Sequence, residues 1–356
     1  MSVSVVGAGI SGLSIALHLL ERDLGPVTIY ERTGIGSGAS GLQPGGMRRQ
    51  WGTRANCLMA MESFAFYREL GERFTECGYL FLADERETLA SLEAALSVQH
   101  ELGIPSRLLT PVEAAEVVPG LEPAGVLGAA WCAEDGYFDR PQAVVEGFAA
   151  KVAARGGRIE LAGVRGIVQE GGGWRIELSS GTVVDSDAVI VAAGAESRAL
   201  VAPLGFDLPI VEEPRTLFLS EPIRERLLEP LVIAVDRGIA AKQLADGRVL
   251  ASDLRGEGGE WRRRLHALLP VLEFVPLPIV ATGSYDMTPD GQPIVDALAE
   301  GLWVAAGFSG HGFMVAPSTG RLVAAGVAGA ALPEWHEAVR AGRFGERPAD
   351  TEAQVI

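Results

Sequence analysis

The chain has 356 residues, 48% of them hydrophobic and 21% charged, and a formal net charge of −16 at pH 7. Such a length and composition exclude a disordered chain and allow two domains with ample core. The acidity weighs against nucleic acid or an anionic membrane as partner, because both attract basic surfaces. Three cysteines, Cys57, Cys77 and Cys132, without a CxxC spacing point to free thiols in a reducing cytoplasm and to no metal site. The apolar N-terminus lacks a basic leader and is broken by glycines, so it reads as strand and helix, not as a signal peptide. No stretch is apolar enough for long enough to span a bilayer.

In chain order, the apolar run Val3, Val5, Val6 predicts a strand, and Gly7, Gly9 and Gly12 (GAGISG) follow directly. Gly7 permits a tight turn, Gly9 lets backbone approach a pyrophosphate, and Gly12 lets the helix Ile10–Arg22 pack on the sheet. The free N–H groups at that helix start, here Ile10 and Ser11, suit phosphate. A second strand, Val27–Tyr30, delivers Glu31, where a carboxylate accepts from an adenosine ribose and repels a 2′-phosphate. The ligand is therefore NAD or FAD rather than NADP. Helices are predicted near Arg54–Cys77 and Glu85–Leu102, with a short strand near Tyr79–Leu82 between them. Thr110–Glu113 reads as a capping box, and Pro141 opens a helix that Gly156 and Gly157 stop. From Arg158 the period becomes two, predicting a β-meander of strands near Ile159–Leu161, Gly163–Gln169, Trp174–Leu178 and Thr182–Val184. Ala188–Val191 and Leu302–Ala305 read as buried parallel strands, and residues 208–281 as strand-rich. A helix should run from Gly312 to about Leu332, and the last dozen residues should fray. The fold class expected is α/β. A doubly wound, discontinuous cofactor domain (1–78, 139–205 and 282–356) would stand beside an α+β substrate domain on a mainly antiparallel sheet (79–138 and 206–281).

Three further stretches carry a resemblance: Ala39-Ser40-Gly41 with Gly45-Gly46-Met47-Arg48, the run Tyr285-Asp286-Met287-Thr288-Pro289-Asp290-Gly291-Gln292-Pro293, and Gly307-Phe308-Ser309-Gly310-His311-Gly312-Phe313-Met314. With the N-terminal turn they closely resemble the FAD-dependent D-amino-acid oxidase superfamily, in its sarcosine oxidase, glycine oxidase and proline dehydrogenase β-subunit branch. The resemblance implies an extended FAD. Gly7, Gly9, Gly12, Glu31 and Arg32 would hold its ADP part, Ser40 and Gln43 would lie along the pyrophosphate and ring, Val164 at the adenine, and Ala193 and Gly194 near the phosphates. Gly310, His311, Gly312, Phe313 and Met314 would reach the flavin edge, where a helix start stabilises negative charge. No cysteine follows Cys132, which implies a non-covalent flavin. Met314 stands where sarcosine oxidases have a lysine and Tyr285 where glycine oxidases have an arginine. The lysine that helps oxygen react in sarcosine oxidases has no clear counterpart.

The reaction so implied is oxidation of the C–N bond of a small amino acid or secondary amine by hydride transfer to flavin N5, giving an imine that hydrolyses. It needs a near-attack geometry more than a dedicated base. Arg48 is the expected cation for a substrate carboxylate, while Arg49 would point elsewhere. His311 is a candidate for a flavin hydrogen bond or proton transfer, and Tyr285 for a hydroxyl over the substrate. Lys242, one of only two lysines, is read as lying on a solvated strand face, with a cavity-lining role as the alternative. The electron acceptor is oxygen, or a quinone or dye. The alternative is a flavin subunit of a heteromeric dehydrogenase that passes electrons to a partner chain.

Overall fold

A computed structural model describes residues 1–256, 259–346 and 351–355. Three separated stretches of chain build one six-stranded sheet, in the order Ile294–Ala299, Leu302–Ala306, Ala188–Val191, Val3–Val6, Val27–Glu31, Arg158–Leu161. All neighbours are parallel except the first pair, which is a hairpin. Every residue of Val3–Val6 and of Ala188–Val191 is buried, as continuous apolar runs require when helices cover both faces. The helices Ile10–Glu21 and Gly312–Val327 pack against one another, and the main core gathers around them.

The second large sheet has eight strands, in the order Ile279–Met287, Val211–Leu219, Val249–Asp253, Ile239–Gln243, Leu231–Ala234, Tyr79–Ala83, Gly128–Cys132, Arg107–Leu109. It is antiparallel apart from the parallel pairing of Leu231–Ala234 with Tyr79–Ala83. Two small three-stranded sheets complete the fold. One is the antiparallel meander Val164–Glu170, Gly173–Leu178, Val183–Ser186, and the other joins Gly46–Met47, Gly136–Phe138 and Phe74–Glu76.

The α/β class and the capping box hold: Thr110 Oγ accepts from Glu113 N while Glu113 returns a bond to Thr110 N. Several boundaries differ from the sequence expectation. Arg158–Leu161 leaves the meander and pairs with Val27–Glu31, placing Ile159 opposite the buried Ile29. The helix expected to reach Cys77 ends at Glu69, and Phe74–Glu76 is a strand against Phe138. Within 208–281 a helix, Glu260–Leu268, buries Trp261, Leu265 and Leu268 at helical spacing. The helix that begins at Gly312 stops at Val327 rather than Leu332.

The tail expected to fray is anchored over part of its length; residues 347–350 and 356 lie outside the described residues. Glu352 is buried, and its carboxylate accepts from Gly52 N, Thr53 N, Thr53 Oγ and Asn56 Nδ2 at 2.8–3.1 Å. It thereby neutralises the positive N-terminal end of the helix Arg54–Glu69.

Candidate active site

Between the carboxyl ends of the parallel strands and one face of the eight-stranded sheet lies a cavity of about 680 Å³. Its floor begins at the glycine turn. Gly7 adopts φ +103°, and a Cβ there would stand 2.4 Å from the carbonyl oxygen of Ala192. A Cβ on Gly12 would lie 2.0 Å from the carbonyl oxygen of Gly7, so helix and turn touch backbone to backbone. Ile10 N, expected to be free at the helix start, instead donates to Ser40 Oγ at 2.9 Å, because that hydroxyl packs against the turn. Glu31 Oε1 accepts from Thr33 N, Thr33 Oγ and Gly34 N, whereas Oε2, among the described residues, accepts only from Ala8 N at 2.9 Å. Burial pushes this carboxyl's pKa up, but those donors outweigh it and hold it below the ordinary value. It stays ionised, and Oε2 keeps a lone pair for a further donor.

The opposite end of the cavity is the Gly307–Gly312 loop, and the resemblance-bearing run at 285–293 explains its shape. Asp286 Oδ2 accepts from Gly307 N at 2.8 Å, and Asp286 O accepts from Ser309 N at 3.0 Å. Thr288 N donates to Ser309 Oγ at 3.1 Å. Ser309 is thus held at φ +48°, a left-handed conformation that non-glycine residues seldom adopt. Asp290 anchors the run itself, pairing with the buried Arg343 at 2.7 and 2.9 Å. The helix Gly312–Val327 therefore presents its positive end to the cavity at Gly312 and Phe313.

The roof is one face of the eight-stranded sheet, and register fixes who shares it. Leu217 is opposite Ser252, Ser252 opposite Ala240, and Ala240 opposite Ile233, giving one row across four strands. Leu250 is opposite Lys242 on one side of that row, Arg215 is opposite Gly283 on the other, and Leu231 and Leu254 line the cavity beside them. Arg215 is 13% exposed at its side chain; it pairs with Glu213 at 3.0 Å and packs its Cζ 4.8 Å from the Tyr285 ring centroid. Its Nε is buried with no hydrogen-bond partner among the described residues, and so is Gln43 Nε2. Lys242 is 2% exposed, donates to Pro44 O at 2.5 Å, and sits 3.7 Å from the Tyr137 ring centroid.

Burial pushes the Lys242 amine down to about 7. Lys242 therefore binds fewer protons folded than unfolded. Its burial costs stability below about pH 7, and the cost fades as pH rises toward the unfolded value near about 10. Lys242→Met is expected to raise the unfolding midpoint at neutral pH and to lose that advantage in alkaline buffer. Thermal melts across that range check it, and a gain independent of pH would assign the effect to packing instead.

Of the residues expected from sequence, Gly7, Gly9, Ile10, Ser11, Glu31, Arg32, Ser40, Gln43, Val164, Ala193, Gly194, Tyr285, Gly310, Gly312 and Phe313 line this one cavity. Gly12, Met314, His311 and Arg48 do not. Gly12 and Met314 serve packing, Met314 with its methyl close to where a Cβ on Gly46 would stand. His311 is 2% exposed and its ring lies 4.6 Å from that of Trp51. Burial and the Arg48 charge push it down to about 3, so it is neutral at physiological pH and unsuited to donating a proton there. Arg48 corrects the expected carboxylate anchor. It is fully buried, bonded to the carbonyl oxygens of Gln50 and Gln354, with its Cζ 3.4 Å above the Trp51 ring. Arg49 does point elsewhere, to Asp135 and Glu134.

Arg48→Ala is expected to lower stability by about 3 kcal/mol or more, through a cavity and two deprived carbonyls. The affinity of the folded fraction for carboxylate substrates should not change. Denaturant unfolding with KM measurement separates the two. Among the lining residues that sequence reasoning missed is Arg215. Its signal was an arginine in phase with Leu217 on an alternating strand, which marks a cation on the face that also carries an apolar residue.

The family model described as FAD dependent oxidoreductase (DAO) matches residues 2–325 of this chain. The glycine oxidase of Geobacillus kaustophilus is 28% identical, over 90% of this chain and 91% of its own. Sarcosine oxidase subunit beta of Rhodobacter capsulatus is 26% identical, over 89% and 82% respectively. The crystal structure of L-proline dehydrogenase from P. horikoshii superposes with a TM-score of 0.85 at 29% identity, covering 96% of this chain and 97% of that one. The chain is an enzyme and belongs to the DAO family of FAD-dependent oxidoreductases.

Proposed function

We propose that this enzyme oxidises the C–N bond of an amino acid or secondary amine, in the cytoplasm, with FAD bound non-covalently in the cavity described above. The observation that carries the reading is the joining of a pyrophosphate turn, an ionised ribose acceptor and a cation with an unpaired N–H in a single cavity. The residues fit the cofactor. Gly7, Gly9, Ile10 and Ser11 would hold the pyrophosphate, Glu31 Oε2 a ribose hydroxyl, and Val164 the adenine. Gln43 Nε2, a buried donor without a partner among the described residues, and the Gly310–Phe313 turn would meet the flavin end. None of the three cysteines lines the cavity, which supports a non-covalent complex. The division of labour read from the sequence, cofactor binding by 1–78, 139–205 and 282–356 and substrate binding by 79–138 and 206–281, is part of this proposal.

Bound FAD supplies a two-electron acceptor, so that the C–N bond of the substrate becomes an imine that water hydrolyses. Arg215 binds the carboxylate of an amino-acid substrate and, with Tyr285 beside it, fixes the orientation of the adjacent carbon. Lys242, titrating at about 7, loses its charge in mildly alkaline solution, which leaves Arg215 as the fixed cation of the roof. One fixed cation suits one carboxylate. The roof also excludes water from the reacting carbon, because most of it is hydrocarbon.

Denaturing the purified protein should release FAD into the supernatant, and anaerobic addition of amino acids should bleach the flavin. A colourless supernatant after incubation with FAD defeats the proposal. The likeness to sarcosine oxidase subunit beta supports a second reading, in which a partner chain or quinone takes the electrons. Full bleaching without oxygen uptake, from a protein that elutes with a partner, selects that reading.

A further inference from the structure

A buried phenol seldom lacks a hydrogen-bond partner, because burial removes the water that would otherwise serve. Tyr67 and Tyr137 follow that rule, donating to Phe313 O at 2.5 Å and to Gln243 O at 2.6 Å. Tyr79 does not. It is 2% exposed and lines the cavity, yet its hydroxyl bonds to no described residue. A glycine keeps open the space in front of that hydroxyl: a Cβ on Gly46 would stand 2.9 Å from it and 3.4 Å from the Met314 methyl. The rest of Tyr79 is held. Its ring stacks on Phe81 with centroids 5.5 Å apart, and its carbonyl accepts from Gln50 Nε2 at 3.0 Å. A fixed hydroxyl at a cavity wall, without a protein partner, is a contact reserved for a ligand.

The ligand atom follows from charge. Burial pushes the Tyr79 phenol well above its ordinary range, so the hydroxyl is neutral, with one proton to donate and two lone pairs to accept. A carboxylate is better served by the Arg215 fork than by one neutral O–H. An ammonium at Tyr79 would be desolvated without a counter-charge. An unprotonated amine needs only an acceptor for its N–H, and it is the form whose lone pair becomes part of the imine. Tyr285 joins the two positions: Arg215 Cζ is 4.8 Å from its ring centroid, and its phenol acts through space on that of Tyr79. We infer that Tyr79 is a further substrate-contacting residue, whose hydroxyl accepts an N–H of the unprotonated amine while Arg215 holds the carboxylate. The ammonium proton is left to solvent. The inference rests on the proposed function and adds to it the group that receives the nitrogen.

The test compares the flavin-loaded enzyme with its Tyr79→Phe variant on glycine, sarcosine, alanine and proline, the last two in both enantiomers. Anaerobic flavin bleaching gives the apparent second-order rate constant. Beside each amino acid stands the acid with carbon in place of nitrogen (propionate, butyrate, isobutyrate, cyclopentanecarboxylate), read as a competitive inhibitor. Tyr79→Phe should keep the parent's flavin content and melting temperature and bleach roughly tenfold more slowly, the effect of one lost hydrogen bond. The inhibition constants of the nitrogen-free acids should not change. The matching amines without a carboxylate should weaken as the amino acids do, which keeps the comparison available where an acid fails to compete. Equal weakening of acids and amino acids moves Tyr79 to the carboxylate and overturns the inference. Unchanged rates throughout, or a loss of flavin from the variant, overturn it as well. Bleaching by no member of the panel overturns it together with the proposed function.

Discussion

Gly12→Ala is expected to give a protein that neither melts at the parent temperature nor holds FAD. The added methyl has no room, because its carbon would stand 2.0 Å from the carbonyl oxygen of Gly7. That contact is with backbone, so no rotamer change relieves it. Either the helix Ile10–Glu21 must move away from the strand Val3–Val6, or the turn at Gly7 must open. Gly7 has little freedom to do so, since its own Cα faces the Ala192 carbonyl. Overpacking of this kind costs about 1–3 kcal/mol or more. The same movement displaces the helix start at Ser11 from the phosphate position, so stability and cofactor content should fall together. Calorimetry and the ratio of flavin to protein absorbance check both. Gly9→Ala is the milder control, because its nearest neighbour is the Ser40 hydroxyl at 3.2 Å, a side chain that can rotate. Equal flavin retention in Gly12→Ala and the parent would show that the turn is not where the pyrophosphate lies.

Arg215→Ala is expected to lower kcat/KM for amino-acid substrates by roughly a hundredfold, while flavin content and melting temperature stay near those of the parent. A desolvated charge-assisted pair contributes about 3 kcal/mol when one member is removed, and that sets the factor. The effect should vanish for amines that lack a carboxylate, because for them Arg215 has nothing to bind. Arg215→Lys should recover only part of the loss, since an ammonium cannot reproduce the planar fork. Steady-state kinetics on matched pairs, an amino acid and its decarboxylated amine, make the comparison. Equal losses for both members of a pair would reassign Arg215 to a structural role.

The glycine-turn end of the cavity was legible in the sequence because it is made by local geometry. A turn of Gly7, Gly9 and Gly12 and an acid at the end of the next strand lie within 31 residues; backbone sterics dictate the glycines, and the carboxylate's accepting oxygens the acid. The roof was not legible for the converse reason. Arg215, Lys242 and Leu250 come together only through the register of neighbouring strands, and nothing local tells which parity of a strand faces the cavity. Lys242 shows the difficulty: alternation predicted a solvated face, and it lies buried against Pro44 and Tyr137. Arg48 failed for a related reason. Its place after two glycines was informative, but the direction of its side chain is set by Trp51 and by Gln354, the latter some 300 residues away in the chain. The run at 285–293 pointed to the family, and what no local pattern showed is that Asp286 and Thr288 hold the loop at 307–309.

The strand order of the six-stranded sheet bears on how the protein is made. Val3–Val6 is made before the other strands of this sheet and ends up near its middle, with Val27–Glu31 on one side and Ala188–Val191 on the other. The second neighbour is not synthesised until more than 180 residues later, and Leu302–Ala306 later still. Throughout that interval an apolar strand offers an open edge to any other nascent chain. Recovery in a heterologous host should therefore depend on chaperone capacity and translation rate, and adding riboflavin alone should not replace either.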